Sequence, residues 1–125
     1  MKRARTKIVQ PSDPRPWGKF YDLDIGKNWR VKTLYLKAGK RLSLQYHRNR
    51  SERWILVEGD ATAITADRNG RLRAKKLVQG KMHVVGLRQV HRLFSKRGGI
   101  IVEVWIGNSS ESDIVRLKDD FGRVK

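Results

Sequence analysis

Short runs of alternating apolar and polar residues, each closed by turn residues, govern what this chain can fold into. Phe20 to Ile25, Trp29 to Leu36, Leu42 to His47, Trp54 to Val57 and Ala61 to Ala66 are the first five. Arg71 to Val78, Lys81 to Val85, His91 to Phe94 and Gly99 to Ile106 follow. Gly26-Lys27-Asn28, Ala38-Gly39-Lys40, Gly59-Asp60, Asp67-Arg68-Asn69-Gly70, Gly80, Gly86 and Gly98-Gly99 punctuate them. Asn69-Gly70 is a strong hairpin signal, because both residues tolerate positive φ. Strand-length runs at this spacing predict an all-β antiparallel sandwich or barrel. Only Ser109 to Asp120 is left as a place for a helical turn.

A chain of 125 residues fits one domain. Residues 1–14, basic and then Pro11-Ser12-Asp13-Pro14, read as a flexible tail, and 15–125 as the folded unit. With 38% hydrophobic residues and four Trp, the chain can build a core despite its charge. Zero Cys excludes a disulfide framework, a thiolate metal site and a Cys nucleophile. No apolar run approaches the ~20 residues that span a bilayer, so no membrane partner is expected. No apolar stretch of signal-peptide length follows the basic N-terminus, and a cytoplasmic location is expected.

The formal net charge of +17 points to anionic partners: nucleic acid, an acidic surface or a phosphorylated small molecule. The basic residues are spread along the whole chain, however, with local clusters only at Lys2 to Lys7 and Arg71 to Lys76. No zinc-finger spacing, aromatic-glycine RNA motif or long basic amphipathic helix accompanies them. Nucleic acid is therefore the less favoured partner.

Three histidines, His47, His83 and His91, carry most of the chemistry available. Strand alternation puts Ser43, Gln45 and His47 on one face of Leu42 to His47, with Leu42, Leu44 and Tyr46 on the other. The apolar stripe is either core or a dimer interface. Glu52, Trp54 and Leu56 likewise share a face, opposite Arg53, Ile55 and Val57. Polar groups on the inner wall of a small barrel make a candidate site.

The spacing Gly39, five residues, Gln45-Tyr46-His47, four residues, Glu52, six residues, Gly59 resembles the first motif of the cupin family. A second cupin motif starts at Gly80 and places His91 at its metal-ligand position. The resemblance implies a jelly-roll barrel binding one divalent metal ion through Gln45, His47, Glu52 and His91. Such a mixed N/O donor set suits Zn first, and also Mn, Fe, Co or Ni. Arg15-Pro16-Trp17-Gly18, Gly39 through Trp54 and Asp113 through Arg123 further resemble the cupin domain of type II mannose-6-phosphate isomerases. This similarity covers roughly residues 15–123. In bacteria that domain often follows a nucleotidyltransferase domain, which has no counterpart here, so a stand-alone form without pyrophosphorylase activity is expected.

The departures from that family's pattern are specific. Asn49 and Arg53 stand where it usually has His, Gly86 where it has Pro, Arg88 where it has Gly, and Ser95 where it has Asn. Trp105 replaces a common Gln, and narrows the cavity if it points inward. Phe121 replaces a frequent Tyr.

The resemblance implies a metal-dependent isomerase that interconverts mannose 6-phosphate and fructose 6-phosphate, and a homodimer. Lys32, Arg41 and Arg123 are the expected substrate ligands, since a guanidinium fork matches phosphoryl oxygens. Arg116 and Glu103 are the expected catalytic residues, Glu103 as the base. Arg15 and Trp17 are expected to lock the N-terminal strand. The alternatives are a non-catalytic cupin that keeps metal and sugar-phosphate binding, and a basic cupin that associates with nucleic acid.

Overall fold

The computed structural model describes residues 15–124. The expected tail at 1–14 lies outside the described residues. Eleven strands occur among them: β1 (Gly18–Ile25), β2 (Trp29–Leu36), β3 (Lys40–Arg41), β4 (Leu44–Tyr46), β5 (Arg50–Gly59) and β6 (Thr62–Ala66). β7 (Leu72–Lys76), β8 (Met82–Val85), β9 (His91–Ser95), β10 (Gly99–Gly107) and β11 (Val115–Lys118) complete the set. One sheet has the order β1-β2-β10-β5-β8; the other runs β11-β4-β9-β6-β7, with β3 added on β9. All pairings are antiparallel. This is the all-β cupin barrel that the sequence predicts. No helix among the described residues is long and apolar enough to cross a membrane.

Three local expectations are corrected. The expected strand Leu42 to His47 shrinks to β4 (Leu44–Tyr46), Lys40–Arg41 forms the separate β3, and Leu42 and Ser43 between the two both line the interior. One extra inward residue slips the alternation, as a bulge does, so Leu42 packs on the core while Ser43 and Gln45 still face the cavity. The Leu42/Leu44/Tyr46 stripe is therefore not one face. Ser109 to Asp120 holds a turn at Glu111-Ser112 and then β11, not a helical turn. β11 exists because β4 offers an open edge: Val115 pairs with Tyr46 and Arg116 with Gln45.

The inner wall changes character at one level. Leu34 and Leu36 of β2, Trp54 and Leu56 of β5, Leu93 of β9 and Ile101 of β10 meet in the apolar core. The next inward positions on the same strands are Lys32, Glu52, His91 and Glu103, all buried. Register aligns them, since Glu103 pairs with both Lys32 and Trp54, and Trp105 with Glu52. The apolar half drives folding at ~1.5–3 kcal/mol per fully buried large side chain. The polar half is the part that packing does not explain, because buried charges cost stability unless paired.

Candidate metal centre and sugar-phosphate cavity

His47 opens the β4–β5 turn, Glu52 lies on β5 and His91 opens β9. One donor atom from each falls within 4.8 Å of the others, and all three residues are buried. Hydrogen bonds set both imidazoles. His47 Nδ1 donates to the Asp113 carbonyl (2.5 Å) and His91 Nδ1 to the Gln89 carbonyl (2.7 Å), leaving each Nε2 with a lone pair turned inward. His47 Nε2 lies 3.0 Å from Glu52 Oε2, and His91 Nε2 lies 3.6 Å from Glu52 Oε1.

His91 Nε2 is buried without a hydrogen-bond partner among the described residues. Such an orphan costs about 1–3 kcal/mol, and a metal ion shared with Glu52 and His47 would satisfy it. The residues present therefore fit a metal. Gln45 sits beside them, its amide nitrogen 3.2 Å from His47 Nε2 and its oxygen accepting from Ser43 Oγ. Amide orientation follows from the surrounding hydrogen bonds, and the reversed amide turns the oxygen toward the same point.

Arg50, absent from the expected ligand set, is fully part of this cluster. Its guanidinium donates to Glu52 Oε2 (3.1 Å) and to the Ser110 carbonyl (2.9 Å), and stacks 3.3 Å from the Trp105 ring centroid. It also reaches His47 Nε2 at 3.2 Å. Burial pushes Glu52 upward, but its contacts with the His47 and His91 imidazoles and with the Arg50 guanidinium outweigh it and hold the carboxyl well below its usual range. Burial pushes His91 below its usual value, toward the uncharged form a metal needs. A sequence signal for Arg50 exists, because it shares strand parity with Glu52 and Trp54.

Glu103 stands across from Glu52. Trp54 Nε1 donates to its Oε2 (2.8 Å) and Trp105 Nε1 to its Oε1 (2.9 Å). Burial, followed by the Glu52 charge, pushes it up to about 8. Lys32 lies 4.0 Å over both the Phe20 and Trp105 rings and pairs with Glu111. Burial pulls the Lys32 ammonium down against the opposing pull of Glu103 and Glu111. Trp105 does point inward, and it narrows the cavity as its position implies.

Gln45, Glu52 and Glu103 open on a cavity of about 600 Å³ that Lys32, Arg116 and Arg123 also line, whereas His47 and His91 are not among its lining residues. Arg41 is not among the lining residues; its guanidinium forms an exposed two-point pair with Asp120. Asn49 is exposed in the β4–β5 turn and its N–H donates to the Asp113 carboxylate, so its departure from the motif leaves the interior untouched. Arg53 turns outward and donates to Ser51. Arg88 takes φ 60, a left-handed conformation suited to the Gly the family usually has there. His83 stacks on Trp54 at 5.7 Å, outside the triad.

The sequence matches the family described as mannose-6-phosphate isomerase C-terminal over residues 4–119. The chain belongs to that family. It is 40% identical over 113 residues to the alginate biosynthesis protein AlgA of Pseudomonas aeruginosa, covering 87% of this chain and 22% of that protein. It is 36% identical over 114 residues to the mannose-1-phosphate guanylyltransferase ManC of Salmonella typhimurium, covering 88% and 22%. The chain thus spans about a fifth of the length of these curated relatives. Among solved structures it resembles oxalate decarboxylase of Bacillus subtilis, with TM-score 0.73, 20% identity, and 87% of this chain and 30% of that one covered. It also resembles an RmlC-like cupin from Shewanella frigidimarina, with TM-score 0.72, 18% identity, and coverage of 87% and 92%. At such identities these two show the fold alone.

Proposed function

We propose that this cupin is a metal-dependent sugar-phosphate isomerase interconverting mannose 6-phosphate and fructose 6-phosphate. The observation that carries it is the orphaned His91 Nε2, gathered with His47 Nε2 on the Glu52 carboxylate, which itself lines a cavity shared with Lys32, Arg116 and Arg123. Gln45, His47, Glu52 and His91 would hold the metal. When bound, it would supply a Lewis acid that polarises the sugar's carbonyl or hydroxyl oxygen. We take zinc as the ion, with manganese as the alternative because the oxalate decarboxylase neighbour is described with Mn(II) centres.

The remaining steps belong to the chain's own groups. Moving a proton between C1 and C2 through an enediol needs a group that changes protonation near neutrality. Glu103, pushed up to about 8, is such a group, and its two indole donors hold it in place. Lys32 brings a positive charge to the same wall, where the enediolate's charge would develop. Phosphate recognition falls to the arginines of the cavity. The partners of this reading are a phosphorylated sugar and a second copy of the chain.

The test pairs elemental analysis with a coupled isomerase assay on purified wild type and His47→Ala. The expected result is about one metal per chain and turnover of mannose 6-phosphate in wild type, with both lost in the variant. Absence of turnover with every divalent metal offered would refute the enzyme reading. The second reading, a binding module without catalysis, is favoured by the Trp105 ring and Arg50 guanidinium packed against the triad. It predicts metal and sugar-phosphate binding with no conversion.

A further inference from the structure

We infer that Arg15, on the N-terminal turn, joins Arg116 and Arg123 as a phosphate-binding pole at one end of the cavity. This rests on the sugar-phosphate reading above and names the part of the site that takes the phosphate. All three guanidinium residues line the cavity. Arg116 Nε is buried with no hydrogen-bond partner among the described residues. Burial, then the charge of Arg123 and, less strongly, of Arg15 press Arg116 below its usual range, so the three cations are close enough to repel. Asp119 gives its two-point pair to Arg123, at 2.6 and 3.0 Å, and reaches Arg116 only through space. Glu111, the other acid acting on Arg116, is already engaged by Lys32 and Arg30. No carboxylate among the described residues pairs with Arg15 or Arg116. A phosphomonoester dianion supplies the missing charge and accepts from several guanidinium forks at once.

The turn that carries Arg15 is built to hold it. Arg15 and Gly18 exchange both backbone hydrogen bonds, at 2.9 and 3.0 Å. Gly18 has φ 151, and a Cβ there would collide with the Tyr35 carbonyl oxygen. The Arg15 guanidinium rests 5.1 Å from the Phe20 ring centroid, a contact that orients the cation without neutralising it. Position also fits. Arg116, Gln45 and His91 are consecutive register partners across β11, β4 and β9. Two strand spacings separate Arg116 from His91, roughly 10 Å between backbones. An open-chain hexose phosphate has its carbonyl end and its phosphate at opposite ends of the carbon chain, a comparable reach. Arg41, outside the cavity, has no part in this pole.

The test is calorimetric titration of inorganic phosphate, mannose 6-phosphate and unphosphorylated mannose into the full chain at fixed ionic strength. The variants are Arg15→Gln and Arg15→Lys, with exposed Arg73→Gln as the control for net charge. Arg15→Gln is expected to weaken phosphate and mannose 6-phosphate at least about tenfold, with metal content unchanged. Arg15→Lys keeps the charge but loses the fork, and is expected to recover only part of the affinity. Arg73→Gln should match wild type, and mannose should bind alike to all. Equal phosphate affinity in wild type and both Arg15 variants overturns the inference, as does a wild type that binds no phosphate. If phosphate binding follows Arg15 but no isomerisation occurs, the pole stands and the isomerase reading falls. Turnover with a KM indifferent to Arg15 does the reverse: the isomerase stands and the pole falls.

Discussion

Glu103 meets two indole N–H groups, the buried Glu52 carboxylate and the Lys32 ammonium, and burial keeps its proton on up to about 8. An acid whose folded-state pKa is raised makes the native chain bind more protons than the unfolded chain between its ordinary range and 8. Stability therefore falls as pH rises through that window, and levels off above it. The fall attributable to Glu103 in chelator-treated protein is at most about 5 kcal/mol. Glu103→Gln removes the titration, at a pH-independent cost because the amide nitrogen cannot accept from the second indole. Denaturant unfolding between pH 5 and 9 should show a flatter pH dependence for the variant. Parallel curves for the two proteins would refute the assignment.

At the scale of elements, the C-terminal segment acts on the metal centre from outside. The Asp113 carboxylate accepts the N–H groups of Arg48 (3.1 Å) and Asn49 (2.9 Å), while its own carbonyl orients His47. Asp113→Ala should cost about 1–2 kcal/mol through the loosened β4–β5 turn. It should also weaken metal affinity about tenfold, because without the carboxylate clamp the segment no longer holds the Asp113 carbonyl firmly against His47. Metal titration with unfolding curves checks both, and unchanged affinity would show that the turn orients His47 unaided. Strand alternation made Glu52, Trp54 and Leu56 legible as one inner face, and motif spacing brought His47 and His91 to it. Arg50 escaped because the expected strand began at Trp54 rather than at Arg50. The inward slip at Leu42-Ser43 and the pairing of β11 with β4 arise from partners distant in sequence, which local periodicity does not encode. Arg41 and Arg123 look alike in sequence; only the fold shows which one reaches the cavity.

Across the whole molecule, the +17 charge resists association of like copies, so any self-contact must use a face with few charges. Free edge strand β7 is not that place: all five residues are exposed, and Arg73, Lys75 and Lys76 keep the edge from pairing with another sheet. The outer face of the five-stranded sheet is different. Ile55 and Val57 of β5, Met82 and Val84 of β8, and Val102 and Val104 of β10 alternate with the buried positions, with Arg53 beside them and Lys19 over the Tyr21 and Tyr35 rings farther along the face. Five strands of about eight residues present roughly 600 Å² of sheet, close to the ~800 Å² per partner of a stable interface. A second copy placed on this face would bury the apolar positions while keeping the basic edge in solvent. Sedimentation equilibrium should therefore give twice the 14.5 kDa chain mass. Salt should strengthen the association, because it screens repulsion between the basic chains and leaves the apolar contact intact. Val57→Lys and Val84→Lys, both at exposed positions, should dissociate the dimer without unfolding it. A wild type that sediments as a monomer at every salt concentration would leave this sheet face without a partner and refute the dimer.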